Sequence, residues 1–145
     1  MKVAESTIIE TQAINKERTL IMPQGLLGFE EIKQYALTAN PEEEPFLWMR
    51  ARAGDLDLAF VVLSPYEVLG AYHPDIPNDD ARALDIATPE DAWVLSIVTM
   101  RGGGRATVNL KGPIVVNRHT LIAKQVVIVN AAEYPLDYPL PVASE

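Results

Sequence analysis

The chain has 145 residues, a formal net charge of −8 and no cysteine. That length suits one domain with a core of its own, and the missing cysteines exclude disulfides, thiolate metal sites and a cysteine nucleophile. An acidic balance with a pI near 4.7 argues against binding nucleic acid through its phosphates, and favours encounters with basic protein surfaces or simple solubility.

The N-terminal MKVAESTIIETQ breaks its apolar run with Glu5, Ser6, Thr7 and Glu10, so it does not read as a signal peptide. No window approaches the ~20 apolar residues of a membrane span. A cytoplasmic protein is expected. Short, β-branched apolar runs at 3–9, 19–22, 46–49, 56–63, 93–100, 106–110, 114–116 and 121–129 each predict a strand. Turn signals separate them: Pro23-Gln24-Gly25, Asn40-Pro41, Ala53-Gly54-Asp55, Gly102-Gly103-Gly104 and Gly112-Pro113.

Helical signal is sparse. A short helix is expected over Phe29–Ala36, with Glu30 and Glu31 in its first turn, and a turn or two over Pro65–Leu69 and Asn78–Leu84. The run PEEEP at 41–45 reads as a solvated loop. In 55–63, Leu56, Leu58, Phe60 and Val62 share one face while Asp55, Asp57, Ala59, Val61 and Leu63 share the other. The second face turns from acidic to apolar, which predicts a strand that starts in solvent and ends buried. The pattern as a whole predicts a mainly β protein: a single domain over 1–145, an antiparallel small barrel or sandwich of about eight strands with one to three short helices.

Residue types that carry chemistry are present without the spacing that chemistry needs. His73 and His119 have no ligand partner at helical or strand spacing, and Asp75, Asp79, Asp80 and Asp85 lack the order of a calcium loop, so no metal site is expected. Ser6, Ser64, Ser96 and Ser144 sit in no nucleophile elbow. Glu90 and Asp91 are adjacent in a strand lead-in and point apart, which disfavours an acid–base pair. Arg101-Gly-Gly-Gly-Arg105 is best read as a hairpin loop, and Gly25-Leu-Leu-Gly28 lacks the residues of a phosphate cradle. No catalytic residue and no cofactor is expected. Tyr66, Tyr72, Tyr134 and Tyr138 serve either as interface anchors or as caps on the ends of the barrel.

Within ATVNLKGPIVVN (106–117), Ala106, Val108 and Leu110 alternate with Thr107, Asn109 and Lys111 until Gly112-Pro113 intervenes. Proline has no N–H for a ladder and glycine tolerates unusual angles, so a bulge or edge kink is expected there.

Four blocks, PQGLLGFEEIKQYAL (23–37), LAFVVLSPYEVLGAY (58–72), EDAWVLSIVT (90–99) and ATVNLKGPIVVNRHTLIAKQVV (106–127), together with YPL…YPL at 134–140, resemble the FliW family of flagellar assembly factors. The likeness spans nearly the whole chain; departures fall at Leu27, Gly70, Leu121 and Ala123. It implies a non-enzymatic cytoplasmic regulator that binds flagellin and the basic translational repressor CsrA, relieving repression of flagellin synthesis without touching nucleic acid or membrane. On that reading, Glu42, Glu43, Glu44, Asp79 and Asp80 speed association with the repressor. The expected partner-binding residues are the outward-facing polar set Thr107, Asn109 and Lys111, together with Asn117, Lys124, Gln125 and Tyr134. For Asn109 and Asn117, satisfying nearby backbone groups at a strand bend is an equal alternative. Competing readings are a small-ligand-binding or hydrolytic β-barrel protein, and a structural β subunit of a larger assembly.

Overall fold

A computed structural model describes residues 1–3 and 17–140. Among these residues there are nine strands: β1 (Arg18–Ile21), β2 (Gln34–Ala39), β3 (Leu47–Ala51), β4 (Ala59–Leu63), β5 (Ala92–Met100), β6 (Ala106–Val108), β7 (Ile114–Asn117), β8 (Ala123–Gln125) and β9 (Tyr138–Pro139). The single α-helix among the described residues, α1, spans Asn78–Ala83, and 3-10 turns cover Pro41–Glu43, Pro65–Glu67, Pro89–Asp91 and Ala131–Glu133. The mainly β, antiparallel architecture is as expected, and helical turns form at 65–67 and 78–83.

The expected helix over Phe29–Ala36 does not form. Gly25 and Gly28 take positive φ of 65° and 89°, folding 23–32 into successive turns, and β2 starts at Gln34. At Gly25 a Cβ would lie 2.6 Å from Glu30 Cα, so only glycine fits this turn. Tyr35 and Leu37 then enter the core, a tertiary gain that outweighs the weak local preference for helix. The expected strand over 3–9 lies almost wholly outside the described residues; Lys2 makes a bridge to Asp75. The 121–129 run contains only the short β8.

Strand order is β1-β2-β3-β4-β5-β6-β9, and β7 pairs with both β5 and β8. β6 and β7 lie along one edge of β5 as a single interrupted strand: Val98 pairs with Val108, and Leu95 with Ile114. The sheet curls until β1 approaches the start of β8, where Ile21 and Ile122 form a parallel bridge and the Ile21 N–H donates to Leu121 O at 3.0 Å. It does not close.

Curling gives the sheet an inner and an outer face, and both are apolar. The inner face holds Leu20, Leu37, Met49, Val62, Leu95 and Val116. On the outer face Leu63, Val94, Val98, Val108 and Val115 are covered by α1, by the tyrosine-rich segment at 66–72 and by the C-terminal segment. β5 is buried on both sides, as a central strand with no polar face must be.

Candidate partner-binding surface

The corner between β6 and β7 is held by side chains bonding to backbone. Asn109 Oδ1 accepts from the N–H groups of Lys111 and Gly112, each at 3.0 Å. Such an Asx turn replaces the ladder bonds that the break removes. Lys111 Nζ donates to Ala131 O at 2.7 Å. Gln125 Nε2 donates to Gly112 O at 3.2 Å, and Gln125 Oε1 accepts from Leu27 N–H at 3.0 Å. The expected break at Gly112-Pro113 is thus a strand bulge held by three side chains, Asn109, Lys111 and Gln125.

The rest of the expected polar set is similarly engaged. Asn117 is only 3 % exposed. Its Oδ1 accepts from His119 and Thr120, and its Nδ2 donates to Leu84 O and Asp85 O, which ties the end of α1 to the end of β7. Tyr134, 8 % exposed, accepts from His73 N–H at 3.1 Å and packs edge-on against Tyr72 with ring centroids 4.8 Å apart. These two residues face inward. Asparagine and tyrosine can satisfy buried backbone while filling space, which the sequence does not distinguish from surface display. Thr107, Lys111, Lys124 and Gln125 are half-buried; Thr107 Oγ1 accepts from Arg101 Nε, and Lys124 forms an ion pair with Asp80. Structure brings Asn109, Lys111 and Gln125 together and leaves Thr107, Asn117 and Tyr134 apart from them.

Tyr66 and Tyr72 are buried with Tyr134 in the outer core, which makes them caps rather than interface anchors. Burial pushes the Tyr72 phenol well above its ordinary pKa, and its hydroxyl donates to Leu110 O at 2.7 Å. Asp91 is held below the usual carboxylate range by the Thr88 N–H and by His119, and it closes a capping box with Thr88. Among the described residues, no three His, Cys, Asp or Glu side chains converge as metal ligands would.

A different region has free surface. Trp48, Val61, Val98 and Val108 form one cross-strand row over β3, β4, β5 and β6. Burial falls along it: Val108 and Val98 are covered, while Val61 and Trp48 are half-open. Among the described residues the outer layer ends partway across the sheet. What remains is a groove of about 900 Å³ whose floor includes Phe46, Trp48, Val61 and Met100, with Met100 68 % exposed. Leaving a methionine so open forfeits roughly 1–2 kcal/mol of burial.

The rim is acidic. Glu42, Glu43, Glu44 and Glu67 line the groove, and among the described residues no Lys, Arg or His does. Antiparallel pairing explains why they meet: the 3-10 turn before β3 and the one after β4 fall at the same end of the sheet. Asn40 caps the first turn, accepting from Glu42 N–H at 3.0 Å, which fixes the PEEEP run beside the groove instead of leaving it a loose loop. Glu43 Oε1 accepts from Trp48 Nε1 at 3.2 Å, and Arg50 stacks over the Trp48 ring, 5.4 Å from its centroid. Of these residues only the three glutamates of PEEEP were visible as a sequence feature, because Glu67, Trp48 and Met100 join them through strand register.

Comparison with known proteins reaches the same family from three directions. The model of the family described as "FliW protein" matches residues 3–140. A flagellar assembly factor FliW of Leptospira interrogans is 38 % identical over 119 residues, covering 81 % of this chain and 79 % of that one. One of the same description from Bacillus subtilis is 34 % identical over 128 residues, covering 88 % of each. A crystal structure of the flagellar assembly factor FliW superposes with a TM-score of 0.71 at 25 % identity, covering 99 % of this chain and all of the other.

Proposed function

Because the chain belongs to the FliW family of flagellar assembly factors, we propose that it is a non-enzymatic, cytoplasmic regulator that binds flagellin and a CsrA-type translational repressor in alternation. While flagellin is abundant it occupies the regulator; once flagellin is exported, the freed regulator captures the repressor and flagellin translation resumes. Such a switch requires surface and no chemistry. The observation that carries the reading is the family match over residues 3–140.

Charge supports it. A net charge of −8 draws in a basic repressor and repels the RNA that competes for it. Among the acids expected to contribute, Asp79 and Asp80 are ion-paired with Arg82 and Lys124, so Glu42 and Glu43 carry more of the steering. The half-exposed Thr107, Lys111, Lys124 and Gln125 supply further polar contacts. Purified chain mixed with flagellin, and separately with the repressor, tests the reading by size-exclusion chromatography: each pair co-elutes at micromolar concentration, and excess flagellin displaces the repressor. If neither partner co-elutes, the proposal fails. Stopped-flow association with the repressor slows as salt rises; a flat response removes the role given to charge.

A further inference from the structure

We propose that the groove over β3–β6 is a docking site for a basic, amphipathic segment of a protein partner. Apolar side chains of that segment seat on Trp48, Val61 and Met100, and its lysines or arginines meet Glu42, Glu43 and Glu67. This rests on the partner-binding reading above and adds to it a place and a recognition chemistry.

Three observations converge. The first is the incomplete outer layer. The apolar row from Val108 to Trp48 runs past the edge of what the described residues cover, so a ready-made sheet face is open where their packing stops. Apolar area left this way gains from a second surface.

The second is the pairing state of the acids. Asp75, Asp79, Asp80, Asp91 and Glu133 each have a cationic or histidine partner. Among the described residues no ion pair engages Glu42, Glu43 or Glu67. Unpaired carboxylates at the border of an apolar floor attract cations whose stems are themselves apolar, as those of lysine and arginine are. Arg50, over the Trp48 ring, shows that this floor accepts a cation against its aromatic face.

The third is what the charge rejects. A second copy would bring the same glutamates and the same net charge to the contact, so self-association through this face is disfavoured, and nucleic acid is repelled outright.

Trp48 is a built-in reporter, since it lines the groove while Trp93 is buried elsewhere. The full chain is titrated with a synthetic peptide of leucine and lysine in amphipathic helical spacing, and with its leucine–glutamate counterpart. The lysine peptide shifts the tryptophan emission to the blue with saturation, and the shift is lost in Trp48→Phe. Affinity falls by about tenfold or more in Glu42→Lys/Glu67→Lys and falls also in Met100→Ser. It changes little in Glu31→Lys/Glu90→Lys, which alters net charge equally at exposed sites outside the groove.

Three results overturn the proposal: equal weakening by both charge-reversal pairs, which would make attraction a property of the whole surface; equal binding of the glutamate peptide, which would make the groove merely apolar; or no emission shift at all. An emission shift on concentrating the chain alone would identify a second copy as the occupant and overturn it too. Flagellin and the repressor are run in parallel. If the peptide binds as described and neither protein does, the docking site stands and the regulatory reading fails; if a protein binds and the peptide does not, the reverse holds.

Discussion

The β6–β7 corner and the β3–β6 groove use opposite means on the same sheet. At the corner, Asn109, Lys111 and Gln125 direct their polar atoms at backbone groups, as Asn117 does at the far end of β7. In the groove, apolar side chains lie open, and Glu42, Glu43 and Glu67 beside them form no ion pairs among the described residues. Removing a partner from a satisfied buried polar group leaves the other group stranded, so the corner is where substitution costs stability. Covering exposed apolar surface releases water and asks little of a fold already formed, so the groove is where substitution costs affinity.

That contrast orders the expected effects. Asn117→Ala strands two N–H groups and two carbonyls and lowers stability by about 3 kcal/mol, read as a lower urea midpoint at unchanged slope. Asn109→Ala removes the acceptor of two backbone bonds at a half-buried site, with a loss of about 1.5 kcal/mol. A loss of partner affinity at unchanged stability would instead assign Asn109 to recognition. Asp85→Gly works in the other direction. Asp85 holds a φ of 57° at the end of α1, where its N–H bonds to Arg82 O and that of Ile86 to Ala81 O. Glycine suits this cap better, and a gain of about 0.5–1 kcal/mol is expected in thermal unfolding. Glu67→Lys and Met100→Ser move stability by no more than about 0.5 kcal/mol; a larger drop would mean the groove is part of the folded core rather than a surface.

The last expectation concerns pH. Asp91 has its folded pKa depressed, chiefly by the Thr88 N–H and then by His119. Its contribution is therefore present above the ordinary carboxylate pKa and lost as pH falls through the lower folded value. Wild type and Asp91→Asn should differ in unfolding midpoint at neutral pH and converge in acid. Persistent difference in acid would assign the effect to something other than ionisation.

How much of this was legible beforehand follows from sequence distance. The bulge is encoded by adjacent residues, Gly112 and Pro113, and was readable, as was the alternation of Ala106 to Lys111. β2 was not, since Glu30 and Glu31 imitate a helix start while the turns that displace the helix depend on the backbone angles of Gly25 and Gly28. The groove was hidden for another reason. Trp48, Val61 and Val98 are neighbours only through register, and nothing local to any of them signals it. The polar corner was seen but its direction was not, because an asparagine bonding to its own chain and one awaiting a partner look alike in sequence.

The bulge also sets a parity. Before it, even-numbered residues Ala106, Val108 and Leu110 face the outer core; after it, Val115 takes the outer core while Ile114 and Val116 turn inward. The three steps along β5 from Val98 to Leu95 are matched by six along the partner, from Val108 to Ile114. The odd excess is what exchanges the two faces. Deleting one residue there would turn β7 and β8 inside out relative to the rest of the sheet, whereas deleting two would preserve every side chain's face. This short segment therefore admits length changes in even steps only, a constraint that ordinary surface loops do not have.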